Sequence, residues 1–339
     1  MARAKTKART KSYTVGIDLG GTKVAAALVD AQGKIITECV KPTVPPWMSE
    51  SDLRSSSAPS PADVKKHVSY VVSAMAEAAM DCIERGTMKL GSKPKLIGVG
   101  LASAGPMNIE KGALDFPSNF KGWGKVPLVA LLERALAKHG LKARVHFQND
   151  AIAAALGEGW IGVAKGKSTY ASITVGTGIG TGVIFNGKPA QSRGMGSEWG
   201  HMICDFKNFG SDEGPITHEV EGIASGTGLA RRAKVRGLSQ ETAAELATAA
   251  RNGNEDAKAL FDDAAAALAS LFYSLSLGFN PEVFAISGGM IAIQDLFLPK
   301  AIALYENAIQ RHPAFGSKIR VSRLGTKAGV VGAARLPLI

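Results

Sequence analysis

Two glycine-threonine turns, each set between short apolar runs, constrain the fold of this chain more than any other feature. The first is Asp18-Leu19-Gly20-Gly21-Thr22-Lys23, between Tyr13–Ile17 and Val24–Val29. The second, Gly176-Thr177-Gly178-Ile179-Gly180-Thr181-Gly182, follows the β-branched run Tyr170–Val175 and leads into Val183–Phe185 and an Asn186-Gly187 turn. Paired glycines admit positive φ and let backbone N–H groups close on an anion. Thr22 adds a hydroxyl donor, and Asp18 an oxygen of the kind a magnesium ion on a polyphosphate takes. An ordinary hairpin turn accounts for either copy alone. Two copies far apart predict two related half-folds, each offering a phosphate loop to one nucleotide, as in a duplicated α/β kinase or ATPase.

Composition permits this architecture. A chain of 339 residues with 45% hydrophobic content has enough apolar side chains for two cores. Cys39, Cys82 and Cys204 are widely spaced, which argues against a disulfide framework or a thiolate zinc site and fits a reducing compartment. Of the net charge of +11, five units come from Arg3, Lys5, Lys7, Arg9 and Lys11, in a polar segment expected to be a disordered, solubilising tail over 1–11. No apolar signal segment follows it, because Asp18 and the glycines interrupt the first strand. Ala264–Asn280 is uncharged but carries serines, a tyrosine and a glycine, and reads as a buried core helix short of a membrane span. The expectation is a soluble cytoplasmic protein with neither a membrane nor a specific nucleic-acid partner.

Strand-like and helix-like segments alternate along the chain, giving an α/β class. Tyr13–Val29 and Lys34–Val40 read as strands, and Lys41–Pro61, rich in Pro and Ser, as a long loop. Pro61 opens a helix to about Arg85, with Val64, Val68, Val71, Val72, Met75 and Ala79 near helical spacing. Leu96–Leu101 and Arg144–Gln148 read as strands and Pro127–His139 as a helix. The second of these strands runs into Asn149-Asp150 and an alanine-rich helix. Asp150 is either a helix N-cap or a carboxylate placed where α/β folds keep their chemistry. Glu198 and His201, three apart, can present an acceptor and a donor to neighbouring hydroxyls of a sugar, and Glu221 precedes Ser225-Gly226; a surface Glu–His pair has the same spacing. Ser287-Gly288-Gly289 ends a buried strand and suits a loop against an adenosine, or a structural turn opening a helix. Gly325–Leu336 reads as a closely packed terminal helix.

Taken in order, Asp18–Lys23, Ala104-Gly105-Pro106, Phe116-Pro117-Ser118-Asn119 with Gly122-Trp123, Asn149-Asp150-Ala151, Gly176–Gly182, Glu198-Trp199-Gly200-His201, Glu221 with Ser225-Gly226, and Ser287-Gly288-Gly289 resemble the ROK family of sugar kinases. That family lies within the sugar kinase/Hsp70/actin superfamily, and the likeness covers nearly everything from Tyr13 onward. It implies two ribonuclease-H-like (actin-like ATPase) α/β domains with a cleft between them. The expected division is 12–150, with 325–339 packing back on it, and 151–324. By the same resemblance the chain phosphorylates a hexose, such as glucose or an N-acetylhexosamine, at the 6-hydroxyl. ATP and Mg²⁺ are implied, with Asp150 as general base and Asn119, Asn149, Glu198, His201 and Glu221 on the sugar hydroxyls. Asp18 would sit by the magnesium ion. Gly20, Gly21, Thr22 and Lys23 with Gly176, Thr177 and Gly178 would line the phosphates, and Gly288 and Gly289 the adenosine. Relatives are often homodimers, though the sequence shows no interface signature.

One departure stands out. Most ROK kinases follow the histidine with three cysteines that, together with it, bind structural zinc; here those positions hold Asp212, Gly214 and Glu219. Cys204 cannot replace three thiolates, so no structural zinc is expected. His201 then needs another partner to fix its tautomer, for which the carboxylates of this loop are candidates. Asp212, Glu213, His218 and Glu219 are otherwise ordinary for a solvated loop or a harder metal site. Polyphosphate as donor and a non-catalytic sugar-binding regulator are the alternatives. Regulators of the family carry a DNA-binding module before the first glycine turn, where this sequence has about a dozen residues.

Overall fold

The computed structural model describes residues 11–48, 59–192, 194–206 and 218–339. The expected basic tail apart from Lys11, the middle of the 41–61 loop, and Asp212, Glu213 and Gly214 lie outside these residues. The chain divides into two compact units: the described residues as far as Ala153 with 194–195 and Gly329–Ile339, and Ala154–Ser192 with 196–206 and 218–328.

In the first unit, β1 (Ser12–Leu19) and β2 (Lys23–Asp30) form the hairpin that carries the first glycine turn, and β3 (Ile35–Pro42) extends it. Helix α1 (Pro61–Leu90) follows, bounded as its ends dictate: Ser60 accepts the Asp63 N–H, Pro61 starts the first turn, and Gly91 closes it at φ 71°. It runs a turn beyond the expected Arg85, since nothing before Gly91 breaks it. Next come β4 (Lys95–Ser103) and a small sheet of β5 (Met107–Asn108), β6 (Ala113–Asp115) and β7 (Lys125–Val126). Helix α2 (Leu128–Lys138), β8 (Val145–Asn149) and α3 (Asp150–Ile161) complete this stretch. The main sheet has the order β3-β2-β1-β4-β8, antiparallel across the hairpins and parallel from β1 to β8.

The second unit repeats the arrangement. β9 (Tyr170–Val175), β10 (Ile179–Phe185) and β11 (Lys188–Pro189) are antiparallel. Helices α4 (Val220–Ala224), α5 (Gly226–Val235), α6 (Ala243–Arg251) and α7 (Glu255–Phe279) precede β12 (Val283–Ser287), which pairs parallel with β9. Helix α8 (Leu298–Ile309) and β13 (Lys318–Val321), parallel to β12, finish a sheet of order β11-β10-β9-β12-β13. Two sheets of one topology, each with helices supplying the core, are the duplicated actin-like fold. Helix α7 starts earlier than its uncharged stretch suggested, and its 25 residues satisfy the length and apolarity of a membrane span. Its packing decides the matter: Leu260, Phe261, Leu268, Leu271, Phe272 and Leu275 are buried in the core of this unit.

The chain then returns to the first unit as α9 (Ala328–Arg335). This helix seats on glycines. A Cβ on Gly16 would fall 2.1 Å from the Val330 oxygen, on Gly100 1.7 Å from the Ala333 oxygen, and on Gly332 1.5 Å from the Ala153 oxygen. Backbone therefore meets backbone where β1, β4 and α3 face α9, a fit that no other residue permits.

Candidate active site

In the first unit the parallel register places Leu19, Ser103 and Asn149 in one row, so β1, β4 and β8 end at the same edge. Asp18 stands near the end of β1, and Asp150 immediately follows β8, about 10 Å away across the intervening strand. Helix α3 is capped by Asn149, whose Oδ1 accepts the N–H groups of Ala151 (3.0 Å) and Ile152 (3.2 Å). Asp150 is therefore not the cap that its position allowed; its Oδ1 takes the N–H of the adjacent Ala151 at 2.8 Å. Burial raises the pKa of Asp150, with backbone N–H groups pulling the other way. Asp18 is pushed up to about 7, first by burial and then by the charge of Asp150, with Lys23 opposing. The two carboxylates thus feel one another. Gly329, at the start of α9, lies so close that a Cβ there would be 2.4 Å from Asp18 Oδ2.

The turn between β1 and β2 is held from outside. The Gly20 N–H donates to the Lys23 carbonyl at 3.0 Å. Thr43 donates its backbone N–H to the Thr22 carbonyl (3.0 Å) and its hydroxyl to the Gly21 carbonyl (2.8 Å). With these carbonyls held by Thr43, the planar trans peptides direct the Thr22 and Lys23 N–H groups away from it. Asn119 sits against Gly21, 3.4 Å from the place of a Cβ.

In the second unit, Glu221 on α4 accepts the Ile179 N–H at 2.7 Å, so it braces the β9–β10 turn as well as being a candidate for the sugar. The same carboxylate would meet a Cβ on Gly178 at 2.5 Å. Gly226 donates its N–H to the Gly176 carbonyl at 2.8 Å, and Gly288, at φ 102°, closes to 2.2 Å between a would-be Cβ and the Val175 oxygen. Gly288 and Gly289 thus abut the β9–β10 turn. The glycine pair opens a 3₁₀ segment, Gly289–Leu296, kinked at Ile293, and α8 starts only at Leu298.

Trp199–His201 is one 3₁₀ turn, in which the His201 N–H donates to the Glu198 carbonyl at 3.1 Å. His201 Nδ1 lies 2.7 Å from Glu219 Oε2. Glu219 is buried and fixed by a bridge to Ile203, and half of the His201 side chain remains exposed. The hydrogen bond that Glu219 accepts from the ring raises the His201 pKa more than burial lowers it, and the charges of Glu219, Glu221 and Glu198 add to the rise. Glu198, His201 and Glu221 therefore share one electrostatic environment. Among the described residues no group of three or more His, Cys, Asp or Glu is arranged around a metal ion.

Residues 63–338 match the ROK family. The chain belongs to the ROK family. It is 27% identical to a glucokinase of Thermotoga maritima over 96% of this chain and 97% of that one. The ROK hexokinase of Thermus thermophilus superposes with a TM-score of 0.74 at 29% identity, covering 95% and 96% of the two chains. A ROK glucokinase from Streptomyces griseus, solved with glucose and AMPPNP, does so at 0.66 and 26%, covering 96% and 98%. The His201 ring bonds the Glu219 carboxylate directly, and Cys39, Cys82 and Cys204 are free. Two residues of these sites escaped sequence reasoning: Thr43, which sits at the head of an apparent loop, and the capping role of Asn149.

Proposed function

We propose that this sugar kinase moves the γ-phosphoryl group of ATP to the 6-hydroxyl of a hexose, glucose or a related hexose or N-acetylhexosamine, with Asp150 as general base. The observation that carries this reading is the division of labour at the start of α3. Asn149 satisfies the helix N-terminus, leaving Asp150 a partly buried carboxylate with a raised pKa. A base is most useful when its pKa approaches the working pH, so burial suits it to take the hydroxyl proton as the bond to phosphorus forms.

Asn119, Asn149, Glu198, His201 and Glu221 hold the remaining hydroxyls in this reading. Asn149 does so through its amide nitrogen, since its oxygen is taken by the helix. The N–H groups of the 20–23 and 176–178 turns receive the phosphates, and Gly288 and Gly289 border the adenosine. Asp18 fits a divalent cation, because a carboxyl driven up to about 7 beside a second carboxylate gains most from positive charge. Magnesium, when bound there, offsets the charge of the phosphates. The reading carries a cytoplasmic location with it.

A coupled ADP-release assay with Mg-ATP and a panel of glucose, mannose, fructose, N-acetylglucosamine and N-acetylmannosamine tests it. Turnover of one sugar is expected, and Asp150→Asn should lower kcat by about 10²–10⁴-fold with little change in sugar KM. Turnover with polyphosphate but not ATP would replace the donor, and an unimpaired Asp150→Asn would remove the base.

A further inference from the structure

We propose that His67 is a positioning residue for phosphoryl transfer, tying the acceptor segment 116–123 to the phosphate turn 20–23 through Thr43. The inference rests on the kinase reading above. His67 is buried on α1, and both of its ring nitrogens are engaged. The Trp123 indole N–H reaches Nδ1 at 3.3 Å, and Nε2 lies 3.0 Å from the Thr43 carbonyl. An indole N–H can only donate and a carbonyl can only accept, so Nδ1 is the acceptor and Nε2 carries the hydrogen. One neutral tautomer satisfies both partners. Burial, by lowering the His67 pKa against the opposing effect of the Thr43 bond, favours that neutral form.

The chain of contacts runs on without a break. Thr43, itself fully buried, spends its N–H on the Thr22 carbonyl and its hydroxyl on the Gly21 carbonyl. His67 thereby fixes the residue that holds two carbonyls of this turn. On its other side, Trp123 stacks on Phe120 at 4.3 Å between ring centroids, and His67 meets both rings edge-on. Asn119, next to Phe120, lies against Gly21. The segment assigned to the sugar and the turn assigned to the nucleotide thus share a buried strut, and a displacement at one end is felt at the other.

Steady-state kinetics of His67→Phe, His67→Gln and Thr43→Val test this, alongside calorimetric titration of each protein with AMPPNP and thermal melting. Phenylalanine keeps the ring contacts but neither hydrogen bond, whereas glutamine retains one donor and one acceptor. His67→Phe should raise the KM values for both ATP and sugar about ten-fold, and His67→Gln should recover most of the loss. Thr43→Val should raise the ATP value alone. A lower melting temperature with unchanged KM values in His67→Phe would make His67 merely structural and overturn the proposal. A rise confined to ATP in His67→Phe would overturn the coupling. If the wild type binds AMPPNP but turns over no sugar, the kinase reading fails while weaker AMPPNP binding by His67→Phe still sustains the strut. If the wild type does not bind AMPPNP, both fall.

Discussion

Replacing Asp18 with Asn should make the metal-free protein more stable at neutral and alkaline pH while removing its activity. Burial and the Asp150 charge raise the Asp18 pKa from 3.8 to about 7, so ionising this carboxyl opposes folding. The sign follows from linkage: for a carboxyl whose pKa is raised on folding, the stabilisation is complete below the unfolded value of 3.8 and is lost as pH rises to about 7. At about 1.4 kcal/mol per unit, a shift of roughly three units makes the total about 4 kcal/mol, a ceiling that water entry and relaxation lower. Asparagine has no such titration. Urea midpoints measured in EDTA from pH 4 to 8.5 should therefore show the advantage of Asp18→Asn growing between pH 4 and 7 and flat above it. Magnesium should narrow the gap at pH 8 by stabilising the wild type selectively. Parallel pH curves for the two proteins, or a variant less stable at pH 8, would refute the reasoning.

Other expectations concern the second unit and the terminal helix. Glu219→Gln removes the bond that raises the His201 pKa, so the loss of stability should be greatest at acidic pH and fade as pH rises through the folded pKa of His201. Sugar KM should rise in the same variant, and pH-dependent melting with parallel kinetics checks both. Glu221→Ala should raise the KM for ATP as well as for sugar, because this carboxylate holds the Ile179 N–H of the β9–β10 turn proposed to receive phosphate; a change in sugar KM alone would confine Glu221 to the sugar. Gly332→Ala places a Cβ 1.5 Å from the Ala153 oxygen and should cost about 3 kcal/mol or prevent folding, read by denaturant titration.

Much of this was legible in the sequence, and the limits have physical causes. The two glycine turns were readable as strand-turn-strand units because glycine and threonine interrupt β-branched runs, a pattern that local sterics largely dictate. The helix through Ala264–Asn280 was readable from its apolar content, but its start at Glu255 was not, since Asn254 is one of several residues able to cap. Asn149 and Asp150 are both good caps, and only the direction of two backbone N–H groups separates them. The sheet of β5, β6 and β7 left no periodicity to detect, its strands being two or three residues long. Partners distant in sequence were hidden altogether. His67 falls on the apolar face of α1, where a histidine looks like one more core residue, and its two partners lie 24 and 56 residues away. Glu219, 18 residues from His201, was one carboxylate among several in its loop.

The glycine seat of α9 also governs how the protein is made. The first unit lacks its closing helix until Gly329–Ile339 has been synthesised, which follows translation of the whole intervening unit. At a ribosomal pace of about 5–20 residues per second, those residues delay completion by roughly 10–35 seconds. Until then Gly16 and Gly100 lack the helix backbone that closes on them in the finished fold. The unit translated first is therefore the one that finishes last, and an early stop that spares every residue of the proposed active site would still leave its sheet unsealed.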